Sequence, residues 1–372
     1  MIIYSILIFF CLLFYFLERK GKLKKTNIFF WALITGIFLV SAFRYDVGQD
    51  YQHWTDVYEW IKEGLPAGNY VEIGYRFLNA FIQILPFSHV YLLFIVTSAF
   101  IIFGFGYLIY KNVDKKYWFL AVFIFIGSGI FFASLNLVRQ YVAVVITTLG
   151  IPFLLKKKYA IFILFTLLAT LFHTSALIMI AFMIFYLLFK EQKHHKALIV
   201  IYALSILFMI VDLRQIIGWF QFMIPERWRW YLQSEFLTDR NYSAIVKQLV
   251  PNAILIFALW KRKEMIEKNK INDIFILMLF VNVVITNCFY GVLVLLRLSY
   301  FFDVSLIFIV PVIFELLEQY DKKIEKLGKL GSLEKLGKLS IIGYYILLTV
   351  VTIFIMNGHG VMPYQTIFST ML

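Results

Sequence analysis

Long apolar runs alternate with short polar segments along the whole chain. A helix that crosses a bilayer needs about 20 mostly apolar residues, with a range of about 17–25. Twelve runs meet or approach that length, and the shorter ones predict tilted or broken helices. They cover approximately 2–17, 28–43, 89–110, 118–135, 137–155, 160–172, 174–189, 197–211, 246–260, 274–290, 292–317 and 341–356. The pattern predicts an all-α fold: a polytopic transmembrane helical bundle, one integral-membrane domain over residues 1–372.

One apolar stretch, 160–189, fits either one long helix or two short helices that meet at His173. A single helix would place the lysines of 156–158 and of 190–196 on opposite faces of the membrane. Two helices avoid that conflict. At 1.5 Å per residue, 13 residues reach only about 20 Å into a core of about 30 Å. We therefore expect His173 at a hairpin tip, below the outer surface.

Lysines divide unequally between the two sides when successive loops are assigned alternately. Only Lys62 and Lys247 fall outside the six segments that would lie on one face, which are 18–27, 111–117, 156–159, 190–196, 261–273 and 318–340. Because positively charged loops resist translocation, these segments are predicted to be cytoplasmic. Both termini are then extracytoplasmic. The assignment makes 318–340 a cytoplasmic linker, and it makes 44–88 and 212–245 long extracytoplasmic segments that carry short helices.

Arginines show the opposite distribution. Eight of them fall on the predicted outer face: Arg44, Arg76, Arg139, Arg214, Arg227, Arg229, Arg240 and Arg297. A guanidinium group binds phosphates and carboxylates in bidentate fashion and stays protonated. The outer face therefore favours an anionic ligand, such as a lipid diphosphate.

Composition excludes other classes of protein. A hydrophobic fraction of 62% with 15% charged residues is not that of a soluble globular protein. The net charge of +13 comes mainly from short cytoplasmic loops, so it indicates an anionic lipid surface and no nucleic acid. The two cysteines, Cys11 and Cys288, lie in apolar runs without the spacing of metal ligands.

The segment after the second apolar run concentrates candidate chemistry. Arg44, Asp46, Asp50 and Tyr51 surround Gly48, which permits an unusual turn. Carboxylates accept hydrogen bonds from sugar hydroxyls and aromatic rings stack on sugar faces, so this group is typical of a carbohydrate site. A solvated loop with local Arg–Asp pairing is the alternative.

Other candidates are scattered along the chain. Arg139 and Gln140 open the fifth apolar run, although a single arginine there can also snorkel to the interface. His173 precedes Ser175, without a Gly-x-Ser-x-Gly motif, and a structural hydrogen bond is its simpler explanation. Glu72 lies four residues before Arg76, which favours a helical salt bridge.

Near the eleventh run, Arg297 and Tyr300 are one helical turn apart and should share a face. Asp303 should point elsewhere at helical spacing. Because Arg44, Arg139 and Arg297 come from distant segments yet fall at one depth, we expect them to serve a common site.

The sequence resembles the EpsG family of bacterial polysaccharide polymerases, which are related in role to Wzy polymerases. The stretches that carry the resemblance are 44–51, 72–75, 136–140, 172–175 and 297–301, in the family's order. The resemblance implies a metal-independent glycosyltransferase without a cofactor, in the bacterial cytoplasmic membrane with its active site facing outward. Such an enzyme transfers a growing glycan from undecaprenyl diphosphate to a new lipid-linked repeat unit, and so builds exopolysaccharide, capsule or O-antigen.

The expected partners are therefore the lipid-linked donor and acceptor, the bilayer, a flippase and a chain-length regulator. We expect Arg139 and Arg297 to hold the diphosphate, and Arg44 with Asp46 and Asp50 to orient sugar. His173 is expected to support proton transfer or phosphate binding. Further substrate contacts are expected from Tyr51, Glu72, Gln140 and Tyr300. A flippase, an O-antigen-type ligase and a glycan O-acyltransferase remain alternatives.

Overall fold

The computed structural model describes residues 1–65, 70–209, 242–289, 292–326 and 333–369. Over these ranges the chain is helical, and an isolated bridge pairs Arg44 with Thr366. The predicted outer segment 212–245 falls mostly outside the described residues. So does the middle of the predicted linker 318–340, into which helices extend from both sides.

The α-helices of the described residues are, in chain order, α1 (Ile2–Arg19), α2 (Thr26–Ala42), α3 (Tyr51–Lys62), α4 (Ile73–Gln83), α5 (Val90–Asn112), α6 (Trp118–Gly127), α7 (Ile130–Asn136), α8 (Val138–Leu155), α9 (Tyr159–Thr170), α10 (Ile178–Phe189), α11 (His195–Phe208), α12 (Tyr242–Trp260), α13 (Arg262–Lys268), α14 (Ile271–Cys288), α15 (Leu293–Leu296), α16 (Ser305–Lys326) and α17 (Leu333–Thr349). Short 3₁₀ turns and one π-helical segment join or extend them at Lys115–Tyr117, Thr174–Leu177, Lys190–Gln192, Arg297–Phe301, Val350–Ile355 and Gly358–Gly360.

Six helices of the described residues are long and apolar enough to cross a membrane, or seven if one bent pair counts as a single span. These six are Ile2–Arg19, Val90–Asn112, Val138–Leu155, Thr174–Gln192, Ile271–Cys288 and Lys335–Ile355. The predicted number of about twelve spans is not confirmed. Several of the remaining apolar helices, α2 and α9 among them, have only 10–17 residues.

Two predicted spans are interrupted. The run 118–135 bends by 51° between α6 and α7, where Gly129 adopts a left-handed φ of 91° that glycine accepts without steric cost. The run 292–317 is not one helix, because a 3₁₀ turn over Arg297–Phe301 separates α15 from α16. By contrast, the predicted break near His173 is present between α9 and the turn that leads into α10.

The chain divides into two compact units, Met1–Leu177 with Val310–Leu372, and Ile178–Ile309. In the first unit, every residue of α6 and α7 is buried, and most of α8 is buried as well. Helix α5 packs against α2 and α8, and Gly104 allows the approach to α8, because a Cβ there would lie 2.5 Å from Val145 Cγ1. In the second unit, α14 is the most buried helix and packs against α11 and α12.

A polar cluster in the first unit joins three segments that were predicted to be cytoplasmic. Buried Glu318 accepts hydrogen bonds from Arg19 Nη1 at 2.7 Å, Lys338 Nζ at 2.6 Å and the Tyr117 hydroxyl at 2.5 Å. Arg19 ends α1, whereas Tyr4 near the start of α1 donates to the carbonyl of Val361. The two ends of α1 therefore lie in two separate groups of loops.

The second unit has an equivalent cluster. Arg262 is buried and contacts Asp273 Oδ1 at 2.7 Å and the carbonyl of Phe189 at 2.6 Å. The other carboxylate oxygen of Asp273 accepts the backbone N–H of Glu191 at 2.7 Å. Arg19 and Arg262 are the two arginines predicted on the lysine-rich side, and each has an acidic partner there.

Candidate active site

The loop from α2 to α3 is fixed by the C-terminal segment of the first unit. The N–H groups of Gly48 and Gln49 donate to the carbonyls of Gly360 and His359, both at 2.9 Å. Gly48 has a φ of 110°, and a Cβ on it would lie 3.3 Å from the carbonyl oxygen of Leu135. The unusual turn predicted at Gly48 is therefore present, and it brings the loop against the end of α7.

Arg44 lies inside the protein, below this loop. Its guanidinium group is 1% exposed and donates to the carbonyls of Ser41 and Leu135 and to Ser98 Oγ. It also lies over the ring of Phe94, with 4.8 Å from Cζ to the ring centroid. Burial lowers the pKa of Arg44 to about 10, so it remains charged at neutral pH. Arg44 thus joins the loop to α5 and α7.

The other predicted residues of this loop differ in exposure. Asp46 is exposed and adopts a left-handed φ of 50°. Asp50 is half-buried, and its backbone N–H donates to Asn136 Oδ1 at 2.7 Å. Tyr51 is buried and stacks on Phe94 with ring centroids 4.6 Å apart, so its ring belongs to the core. The two carboxylates are the members of this group that a ligand can reach.

Arg139 forms the central ion pair of the candidate site. Its Nη1 contacts Glu72 Oε2 across 67 residues of sequence, and both side chains are less than 20% exposed. The guanidinium also covers the ring of Trp54, with 4.4 Å from Cζ to the centroid. The adjacent Gln140 is fully buried in α8. Arg139 is therefore held by an ion pair and a ring and does not simply snorkel.

Glu72 connects this ion pair to the break after α9. Its Oε1 accepts the backbone N–H of Thr174 at 3.2 Å. Gly74 donates its N–H to the carbonyl of Leu171 at 2.7 Å, and a Cβ on Gly74 would lie 2.7 Å from that same oxygen. The start of α4 can approach the break this closely only with glycine at position 74.

His173 lies within this break and is partly exposed. Its Nδ1 and Ser175 Oγ are 2.6 Å apart, a hydrogen bond that fixes the orientation of the imidazole ring. The expected local hydrogen bond is therefore present. Thr174, the residue after His173, donates its backbone N–H to Glu72, which directly precedes α4. The position of His173 is therefore coupled to that of α4.

Two tyrosines show how closely the charged groups gather. Tyr70 lies within electrostatic range of Arg139, Asp50 and Glu72. Buried Tyr75 lies within range of both Arg139 and Arg44. The first unit therefore brings together the predicted residues of four separate segments, around 44–51, 72, 139 and 173.

Arg297 and Tyr300 belong to the second unit. Arg297 is exposed, Tyr300 is half-buried, and both lie on the 3₁₀ turn Arg297–Phe301. Asn282 of α14 anchors this turn through a hydrogen bond to the carbonyl of Ser299 at 3.2 Å. The expectation that Asp303 points elsewhere assumed α-helical spacing, whereas Arg297–Phe301 forms a 3₁₀ turn.

Sequence analysis assigned no role to two residues that shape the site. Trp54 supports the face of Arg139, and its Nε1 donates to the carbonyl of Asn136 at 3.4 Å. Asn136 in turn orients Asp50 through its side chain. Asn136 was recognisable as a polar residue in an apolar run, whereas nothing in the sequence distinguished Trp54 from its aromatic neighbours. The expected Glu72–Arg76 pairing also overlooked the long-range partner of Glu72.

An arginine held between a carboxylate and an aromatic ring, next to further carboxylates and a histidine, is equipped to bind an anionic ligand with hydroxyl groups. The helical fold with several membrane-length helices makes this an integral-membrane protein. The chain matches the model described as the EpsG family over residues 27–366, and it therefore belongs to that family of Wzy-like polysaccharide polymerases. No curated protein and no solved structure matched the chain. The family assigns a polysaccharide polymerase-type role.

Proposed function

We propose that this protein polymerises undecaprenyl-diphosphate-linked oligosaccharide repeat units at the outer face of the cytoplasmic membrane. A hydroxyl oxygen of the acceptor sugar attacks the anomeric carbon of the donor glycan. The bond between that carbon and the phosphate oxygen breaks, and its electron pair leaves with undecaprenyl diphosphate. The hydroxyl proton passes to a base on the protein. The observation that supports this proposal best is the Arg139–Glu72 pair within a cluster of carboxylates and a histidine.

Arg139 is the proposed ligand of the leaving diphosphate. Its Nη1 contacts Glu72 and the plane of its guanidinium group lies over the ring of Trp54, so its orientation is set before substrate binds. The Arg139 side chain is 16% exposed, so a ligand can reach its guanidinium donors. A phosphate oxygen can accept from such a donor, and a pre-oriented cation stabilises the charge that develops as the glycosidic bond breaks.

The remaining roles follow from exposure. Asp46 and Asp50 are accessible carboxylates and are proposed to bind sugar hydroxyls. His173, whose ring is fixed by Ser175, is proposed to accept the hydroxyl proton. Arg44 is buried and is proposed to position the loop that carries both aspartates. Arg297 is proposed to bind diphosphate as well, and its substitution tests that role independently of the first unit.

The test is to incubate the purified protein with a synthetic undecaprenyl-diphosphate-linked repeat unit and separate the products by size. We expect a ladder of lipid-linked oligomers, with lower yield from Arg139→Ala and from Arg297→Ala. Lys62→Ala is the matched control, because Lys62 is an exposed cation that is also predicted on the outer face, and its partner Glu59 is exposed as well. No ladder from folded wild-type protein would refute the proposal.

The products that accumulate in cells without the protein distinguish the proposed function from its alternatives. A strain that lacks the protein should accumulate single lipid-linked repeats on the outer face of the membrane. Accumulation on the inner face would indicate a flippase, and full-length polymer that is not attached to its final acceptor would indicate a ligase. Polymer of normal length without acyl groups would indicate an O-acyltransferase.

A further inference from the structure

Two neighbouring helices of the predicted outer segment 44–88 have opposite surfaces. The exposed residues of α3 are polar, namely Gln52, His53 and Lys62, and its large apolar side chains are buried or half-buried. On α4 the exposed residues are all apolar: Ile73, Phe77, Ala80 and Phe81. Its polar residues, Arg76, Asn79 and Gln83, are buried or half-buried.

The apolar residues of α4 form a continuous stripe. The exposed fraction is 62% for Ile73, 73% for Phe77, 47% for Phe81 and 78% for Ile84, which directly follows the helix. At 100° per residue, they fall within about 100° of the helix circumference. Phe87, which follows the helix, is 99% exposed. A surface of large aliphatic and aromatic groups without a charge is unfavourable in water and requires an apolar partner.

The surroundings of the stripe indicate what that partner is. The N-terminus of α4 is joined to Leu171 by the Gly74 hydrogen bond, directly after α9. The exposed residues of α9 are also all apolar: Ala160, Leu164, Leu167 and Leu168. The stripe thus continues the apolar outer surface of a helix in a membrane protein, while α3 has a surface suited to water.

We propose that α4 is an interfacial membrane helix whose stripe, Ile73, Phe77, Phe81 and Ile84, is embedded among the acyl chains of bilayer lipids. An amphipathic helix in this position lies at the boundary between headgroups and acyl chains. Glu72 precedes the first turn of α4, so the Arg139–Glu72 pair is placed near the depth of lipid headgroups. This last consequence rests on the proposed function, because a lipid diphosphate would then reach Arg139 without leaving the membrane.

Spin labelling of the full-length protein in phosphatidylethanolamine–phosphatidylglycerol vesicles tests the proposal. Cys11 and Cys288 are replaced by serine, and single cysteines are introduced by Phe77→Cys, Ile84→Cys or, as the control on α3, Gln52→Cys. We expect labels at 77 and 84 to be more accessible to molecular oxygen than to a water-soluble nickel chelate. The logarithm of that ratio should change sign for the label at 52.

Two results would overturn the proposal. Labels at 77 and 84 that are as accessible to the nickel chelate as the label at 52 would place α4 in water. Labels that are shielded from both reagents and show dipolar coupling between molecules would assign the stripe to a second copy of the chain. The outcome is independent of catalysis: a lipid-exposed stripe in a protein that makes no ladder would refute the proposed function alone.

Discussion

Two arginines of the same predicted site have different environments. Arg44 is 1% exposed, and its Nη1 and Nη2 donate to backbone carbonyls and a serine hydroxyl. Arg139 is partly exposed, pairs with one carboxylate and stacks on Trp54. Both satisfy the preference of guanidinium for planar partners, but only Arg139 is accessible to a ligand. Chemical role therefore depends on burial, which the residue type does not determine.

Arg139→Ala should lower the rate of oligomer formation by about 10²–10³-fold, the usual effect of removing a pre-oriented donor that stabilises developing negative charge. Arg139→Lys keeps the charge but loses the planar fork, so it should restore little activity. The rate of ladder formation by purified protein measures both. Full activity of the lysine variant would show that charge alone is sufficient at this position.

Glu72 should contribute mainly by holding Arg139 and the break at Thr174. Glu72→Ala removes both links and leaves a half-buried cation without its partner, so we expect a loss of about 1–3 kcal/mol in unfolding free energy. Glu72→Gln retains an acceptor oxygen and should lose less. Thermal unfolding in detergent, compared with ladder formation, measures the two effects. Equal stability of the alanine variant and wild type would contradict this role.

At the scale of elements, the apolar runs of the sequence predicted helices well where those runs were uniform, as for α5, α8 and α14. It failed where backbone geometry changes within an apolar run. The 3₁₀ turn at Arg297–Phe301 and the left-handed Gly129 both interrupt runs whose hydropathy does not change. Local hydrogen bonding and packing determine where such breaks occur, and the apolar content of a run does not reveal their positions.

Gly74→Ala tests how α4 docks on the break after α9. The new Cβ would lie 2.7 Å from the carbonyl oxygen and 2.8 Å from Cβ of Leu171, so backbone must move. We expect a loss of about 1–3 kcal/mol in stability, as for other overpacked sites, together with reduced ladder formation.

Gly36→Ala is the matched control for this substitution. A Cβ at Gly36 in α2 would meet no atom within 4 Å, and alanine favours the helix by about 0.5–1 kcal/mol. Melting temperatures of the two variants in the same detergent should therefore shift in opposite directions. A Gly74→Ala variant that is as stable as the Gly36→Ala variant would show that the contact is not tight.

At the scale of the whole molecule, polar contacts between distant segments of the first unit form two groups. In the first unit, residues 19, 117, 318 and 338 share one cluster, while residues 44–50, 72, 136–139 and 173–174 share another. The sequence assigned these two groups of segments to opposite faces of the membrane, and that assignment stays a prediction. The specific partners, such as Glu72 with Arg139, depend on side-chain packing between distant segments and could not be predicted from either segment alone.

Glu318 provides a pH-dependent test of the first cluster. Burial raises the pKa of Glu318, but hydrogen bonds from Lys338, Tyr117 and Arg19 outweigh it, so the pKa lies below its ordinary value of 4.5. The ionised Glu318 and its partners therefore stabilise the fold at pH values above 4.5, and this contribution is lost as the pH falls through the lowered pKa of Glu318. Glu318→Gln should cost about 1–3 kcal/mol at neutral pH and progressively less in acid.

Thermal unfolding of both proteins in detergent across this pH range measures the difference. Glu59→Gln is the control, because the Glu59–Lys62 pair is exposed and should contribute less than about 1 kcal/mol. A stability difference between wild type and Glu318→Gln that stays constant from neutral to acid pH would contradict the assigned ionisation.

The pairing of the loop after α2 with the C-terminal segment has a consequence for biosynthesis. The N–H of Gly48 in this loop donates to the carbonyl of Gly360 at 2.9 Å. In the last turn of α2, the carbonyl of Val40 accepts from the Tyr364 hydroxyl at 2.9 Å, 324 positions away. During co-translational insertion, the ribosome must therefore complete almost all of the polypeptide before this loop acquires its partner. Nascent chains that stall earlier would leave the loop between α2 and α3 without this partner and accessible to quality-control proteases.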